Sequence, residues 1–196
     1  MQYGDMTQNE IINALKQKLD RPIVLIGMMG SGKSHIGRQL ASELDLEFID
    51  TDSVIVERAG ASVAEIFERD GEAKFREAEK NTILELLDRS PCVIATGGGL
   101  PVNPESLQAI KEKSHSVWLE ADIETLLERT AKNKNRPLLQ QEDPAAVLRG
   151  LLEKRRDIYA KADIRVDSSA GAAHDPVSQI IKLLCETLNP DSVAVL

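Results

Sequence analysis

Short continuous runs of apolar residues alternate along the chain with longer stretches in which apolar positions recur every three or four residues. Ile23-Val24-Leu25-Ile26 is the first continuous run, the pattern of a strand buried on both faces. A glycine-rich turn leads from it into a segment with Ile36, Leu40 and Leu44 on one helical face. Residues 47–50 predict a second strand. Ser62 and Glu65 have capping-box spacing for a short helix broken near Asp70-Gly71, and residues 72–88 predict a longer helix with Phe75, Ile83 and Leu87 in register. Strands are expected at 92–96, 116–119 and 164–166. Helices are expected at 104–113, from Asp122 to about 131, from Pro144 to about 159, and after Asp175-Pro176. Residues 132–143 are polar and charged, with little to bury.

Strands separated by helices throughout, with no repeat and no second core, predict an α/β domain with a parallel sheet and right-handed crossovers. Ahead of the first strand, Thr7-Gln8-Asn9-Glu10 has capping-box spacing and Ile11, Leu15 and Leu19 follow at every fourth position. Residues 1–21 therefore read as a helical extension and residues 22–190 as the domain, all within a length, 196 residues, that suits one core.

Composition sharpens this picture in two ways. Aromatic residues are only 3% of the chain, so the core must be aliphatic, and the formal net charge is −8. An acidic chain has no overall attraction for nucleic acid or anionic lipid, so any anion it binds must be held by a local cluster of cations. Cys92 and Cys185 each sit within an apolar run and are expected as buried thiols rather than a disulfide or metal site. No apolar stretch approaches the ~20 residues that cross a bilayer, and a cytoplasmic protein is expected.

Gly27-Met28-Met29-Gly30-Ser31-Gly32-Lys33-Ser34 matches G-x-x-x-x-G-K-[ST] at every fixed position, between an expected strand and an expected helix. A chance match in a chain this long is below about 1% at ordinary residue frequencies. The glycines let backbone N–H groups converge on phosphate oxygens, and the helix N-terminus adds its dipole. Gly30, Ser31, Gly32, Lys33, Ser34 and His35 are the expected ATP-binding run. Lys33 is expected to reach the β- and γ-phosphates and Ser34 to ligate Mg²⁺.

The strand at 47–50 ends in Asp50-Thr51-Asp52, at the C-terminal edge where open α/β sheets bind ligands. One carboxylate suits waters of the metal and the other a substrate hydroxyl; a helix cap is the plainer use of either. The strand at 92–96 ends in Gly97-Gly98-Gly99, which suggests close backbone approach to a ligand. That strand carries no terminal Asp, so Asp50 is the expected metal-side acid. Arg76, Arg136 and Arg155 are candidate anion-binding groups, although each alone could be a surface ion-pair partner. His35, His115 and His174 lack partner spacing for metal binding or catalysis.

Taken in order, G-M-M-G-S-G-K-S, D-T-D, F-R-E-A-E, T-G-G-G and R-P-L-L resemble the bacterial shikimate kinases over about residues 22–188. That resemblance implies a three-layer P-loop NTPase fold of nucleoside-monophosphate-kinase type, with a five-stranded parallel sheet and a mobile lid at about 132–143. It implies transfer of the γ-phosphoryl of ATP to the 3-hydroxyl of shikimate, giving shikimate 3-phosphate and ADP in the chorismate pathway to aromatic amino acids. Lys33, Asp52 and Arg136 would be catalytic, with Asp52 positioning the attacking hydroxyl and Arg136 reaching the ATP phosphates from the lid. Arg76 and Arg155 would hold the substrate carboxylate, with Gly97, Gly98 and Gly99 against the ring hydroxyls and Phe67 and Phe75 as walls. Arg129 would lie beside the adenine, and Mg²⁺ would be held by Ser34 and, through water, by Asp50. Arg156 adjoins Arg155, and spacing alone leaves open which of the two points inward. Shikimate and ATP would be the partners of a monomer, with neither nucleic acid nor membrane involved.

The nearest rival is a P-loop kinase for gluconate or a nucleoside monophosphate, which would share the loop without the other four motifs. A regulatory GTPase is a different class. Asn133-Lys134-Asn135-Arg136 resembles the guanine-reading N-K-x-D, but its last position lacks the carboxylate.

Overall fold

The computed structural model describes residues 8–131, 143–169 and 175–188. Five strands, β1 (Ile23–Ile26), β2 (Phe48–Asp50), β3 (Val93–Ala95), β4 (His115–Glu120) and β5 (Ile164–Asp167), form one sheet in the order β2-β3-β1-β4-β5. Every pairing is parallel, with Leu25 of β1 opposite both Ala95 and Val117. β1 is central and buried throughout, which is why its apolar run is unbroken.

The pleat sends alternate β1 side chains to opposite faces. Ile23 and Leu25 join one apolar cluster with α1 (Gln8–Lys18), α2 (Lys33–Leu44) and α8 (Pro176–Leu188), through Leu15, Ile36, Leu40, Ile180 and Leu184. Val24 and Ile26 join the other with α4 (Val63–Leu86), α5 (Pro104–Lys113), α6 (Ile123–Ala131) and α7 (Pro144–Tyr159), through Ile83, Ile110, Leu126, Leu148 and Tyr159. The result is the three-layer α/β arrangement expected from the alternation. Among the described residues, no helix is long and apolar enough to cross a membrane.

α1 buries Leu15 fully and Leu19 nearly so at its exit, and Lys16 pairs with Asp45 at 3.2 Å. The expected cap at Thr7 lies outside the described residues. Asp20, just after the helix, meets His115 Nε2 at 3.2 Å and ties the extension to the start of β4.

Two features of the helices shape the site. α3 (Thr51–Ala59) was foreshadowed only by the plainer use of Asp50 or Asp52 as a helix cap: Asp50 caps it by accepting from the backbone N–H groups of Asp52 and Ser53, and Gly60 closes it at φ 59°. α4 begins with the expected Ser62–Glu65 capping box and is interrupted at Gly71, whose φ of 83° and ψ of 164° suit only glycine. Between α3 and α4 lies a small satellite core of Ile55, Ile66 and Phe75. Of the expected lid only Asp143 is described, where it caps α7; Arg136 and residues 132–142 lie outside the described residues.

Candidate active site

β1 ends against α2, and the turn between them folds around three glycines with positive φ. At Gly27, φ is 142° and a Cβ would lie 2.5 Å from the Leu119 carbonyl oxygen, so the backbone passes β4 too closely for a side chain. Gly32 caps α2 in the left-handed conformation. The first N–H groups of α2 therefore open toward the turn, where their dipole favours an anion. Lys33 is largely buried and donates to the carbonyls of Gly27 at 2.9 Å and Met28 at 2.8 Å, which holds its ammonium across the turn. Ser31 is fully buried, and among the described residues its Oγ has no hydrogen-bond partner. Its carbonyl is anchored by Ser168 Oγ at 2.9 Å. A buried hydroxyl without a partner is costly unless a ligand engages it, and a phosphate oxygen suits that position. Arg129 on α6 donates to Gly30 O at 3.4 Å, so it lies against the outer wall of the turn. His35 occupies the first turn of α2, with its backbone N–H bonded to Gly32 O.

Asp50 performs two tasks at once. Its Oδ1 caps α3, and its Oδ2 accepts from Ser34 Oγ at 2.7 Å. A hydroxyl and a carboxylate thus converge beside the phosphate turn, an all-oxygen donor set of the kind hard divalent cations select. Among the described residues no three His, Cys, Asp or Glu side chains cluster as a metal cage.

The end of β3 supplies the opposite wall. Thr51 Oγ1 accepts from Gly97 N at 3.1 Å, which fastens the start of α3 to the glycine run. A Cβ at Gly97 would lie 2.4 Å from Glu79 Oε1 and 2.8 Å from Asp52 Oδ1, so two carboxylates close on this residue. Gly98 O accepts from Tyr159 Oη at 2.6 Å and from Arg155 Nη1 at 3.1 Å, while its Cα faces the phosphate turn at Met29. At Gly99 a Cβ would collide with Arg76 Nη1 at 2.6 Å. A Cβ at Gly97 would meet two carboxylates, one at Gly98 would sit a tight 3.3 Å from Met29 N, and one at Gly99 would have to displace the end of the Arg76 side chain.

Arg76 and Arg155 come from different helices, α4 and α7, and line one cavity of about 320 Å³ with Glu72, Glu79, Gly99 and Ser106. Arg156 turns away toward Glu120 at 3.5 Å, so Arg155 is the inward one of the two. Arg76 Nη1 donates to Glu79 Oε2 at 2.6 Å, and its Nε and Nη2 donate to Glu72 at 3.2 and 3.0 Å. The guanidinium also lies 5.7 Å from the Phe75 ring and 6.0 Å from that of Phe67. The two rings contact each other at 4.7 Å; Phe75 is buried in the satellite core and Phe67 is half-buried.

Glu79 was not singled out by the sequence. Burial pushes its carboxyl above the ordinary glutamate range; Arg76 opposes that shift through its hydrogen bond and charge, the Asp52 charge reinforces it, and Arg155 opposes it more weakly. Only its place three residues after Arg76, one helical turn, hinted at a partnership. Thr51 and Tyr159 were also overlooked; Tyr159 is fully buried, 6.1 Å from the Trp118 ring.

Comparison with known proteins points to one family. The shikimate kinase family model matches residues 29–185. A shikimate kinase of Paramagnetospirillum magneticum is 45% identical over 175 residues, 89% of this chain and 90% of that one. One from Mesorhizobium japonicum is 40% identical over 186 residues, 94% of this chain and 92% of its own. Among solved structures, a shikimate kinase from Acinetobacter baumannii in complex with shikimate superposes with a TM-score of 0.79 at 34% identity, covering 92% of this chain and 98% of that one.

Proposed function

The chain belongs to the shikimate kinase family, and from that premise we propose how its own residues transfer the γ-phosphoryl of ATP to a hydroxyl of shikimate. The ATP phosphates rest on the turn from Gly27 to Ser34, with the α2 N-terminus, the Ser31 hydroxyl and the Lys33 ammonium directed at them. Lys33 exchanges its bonds with Gly27 and Met28 for β- and γ-phosphate oxygens, exchanging neutral acceptors for charged ones. Asp52 accepts from the attacking hydroxyl and aligns it with the γ-phosphorus, and Arg76 and Arg155 grip the carboxylate at the far end of the ring. Gly97, Gly98 and Gly99 present backbone to the ring hydroxyls, with Phe67 and Phe75 on the side of Arg76. Arg136, from the segment at 132–143, reaches the phosphates, and Arg129 approaches the adenine from its place on the turn.

The oxygen donors of the Ser34–Asp50 pair fit Mg²⁺, which Ser34 and, through water, Asp50 would hold. Bound there, Mg²⁺ would neutralise charge on the β- and γ-phosphates. A monomer is the proposed working unit. Cys92 and Cys185 are buried thiols with no disulfide between them, which supports a reducing compartment such as the cytoplasm.

One observation carries the acceptor assignment: two arginines from separate helices meet a glycine run that is itself pressed against the phosphate turn. That arrangement supports a carboxylate clamp facing the transferring phosphoryl across the substrate ring, and phosphoryl transfer depends mainly on such alignment. The test is ADP release with shikimate, gluconate or a nucleoside monophosphate as acceptor. Release that needs shikimate and Mg²⁺ together is expected. Turnover with gluconate or a nucleotide and none with shikimate would overturn the reading.

A further inference from the structure

The guanidinium that is to grip the substrate acid is already held by two carboxylates of its own helix, and the two are unlike. Glu79 is buried, its side chain 3% exposed, and holds Nη1 at 2.6 Å. Glu72 is 62% exposed, and one of its oxygens takes both Nε and Nη2. Those two nitrogens form the side edge of the guanidinium, which matches a carboxylate in two-point fashion. Glu72 therefore fills the position a substrate carboxylate would take. It is also the first residue after the Gly71 interruption, where the helix restarts.

The inner bond is fixed by burial, while the outer one is a solvated ion pair of a kind that contributes little. An incoming acid can displace the second but not the first. We propose that Glu72 is an intramolecular surrogate for the substrate carboxylate. It keeps the Arg76 fork aimed into the cavity, yields when the acid arrives, and so sets how tightly, and how selectively for a carboxylate, the acceptor binds. The inference rests on the shikimate kinase reading above. Glu79 positions Arg76 permanently; Glu72 competes for it.

Neutralising the competitor without shortening it, as in Glu72→Gln, should tighten binding of the acid. With the purified full chain, calorimetry is expected to show a shikimate Kd lower by about 2- to 5-fold, on the scale of one exposed ion pair. The KM for shikimate should fall with it, while kcat moves by less than about twofold, because Glu72 touches no reacting atom. The methyl ester of shikimate, which offers no charged acid to Arg76, should bind both proteins equally. A merely structural glutamate would alter the unfolding midpoint and leave Kd alone. An unchanged or weaker shikimate Kd in Glu72→Gln, or equal tightening for the ester, would overturn the proposal. A wild type that neither binds shikimate nor releases ADP with it would instead strike the functional reading beneath.

Discussion

Lys33 and Asp52 stand on opposite walls of the crevice, one across the phosphate turn and the other closing on Gly97. Neither packs the core, so Lys33→Ala and Asp52→Asn should each lower kcat by ~10²-fold or more with the fold intact. Steady-state kinetics beside circular dichroism checks this, and an unchanged kcat in a folded variant removes that residue from the chemistry. The adjacent arginines divide differently. Arg155→Ala should weaken shikimate binding by ~2–4 kcal/mol and leave ATP affinity in place, whereas Arg156→Ala, whose side chain meets Glu120 among the described residues, should change neither. A larger shikimate defect in Arg156→Ala would reverse that assignment. The chain pattern displayed the arginines and the glycine run, because charge and repeated glycine are visible in one dimension. It did not display Glu79. A buried charge inside a segment as polar as Phe75-Arg76-Glu77-Ala78-Glu79 resembles its solvated neighbours until the fold brings Gly97 and Asp52 against it.

Secondary-structure elements follow the same logic. α2, α5 and α7 were legible because each carries an apolar stripe and a punctuating Gly or Pro at its start. α3 was not, since only Thr51 and Ile55 are buried and no stripe betrays it; Asp50 at its start and Gly60 at its end were the available signals. The break in α4 was legible because glycine is the residue that tolerates φ 83° with ψ 164°. Gly71→Ala should therefore lower stability by ~1–3 kcal/mol in urea unfolding, and raise the shikimate KM by disturbing the restart that carries Glu72 and Arg76. An unchanged midpoint would show that the interruption is not held by glycine. α1 contributes Leu15 and Leu19 to the core but no group to the crevice. Removing residues 1–20 should lower stability by ~1–3 kcal/mol while kcat stays within about threefold, read from paired unfolding and rate measurements. Lost activity in a folded truncation would make the extension part of the site.

At the scale of the whole molecule, the strand–helix alternation sufficed for a parallel sheet with two helical layers. It did not convey the order β2-β3-β1-β4-β5, because every run of apolar residues buried on both faces looks alike and only the crossovers decide which strands become neighbours. That order sets the site: β1, between β3 and β4, brings the phosphate turn beside the glycine run at the C-terminal edge of the sheet. Everything assigned above then reduces to one bond, from a shikimate oxygen to the phosphorus released from ATP. Phosphorus-31 NMR of the purified chain with ATP, Mg²⁺ and shikimate observes that bond directly. A new phosphate-monoester resonance, coupled to a ring proton of shikimate and growing one for one with ADP, is the predicted result. ADP accompanied only by inorganic phosphate, or no change in the spectrum with a folded protein, would contradict it.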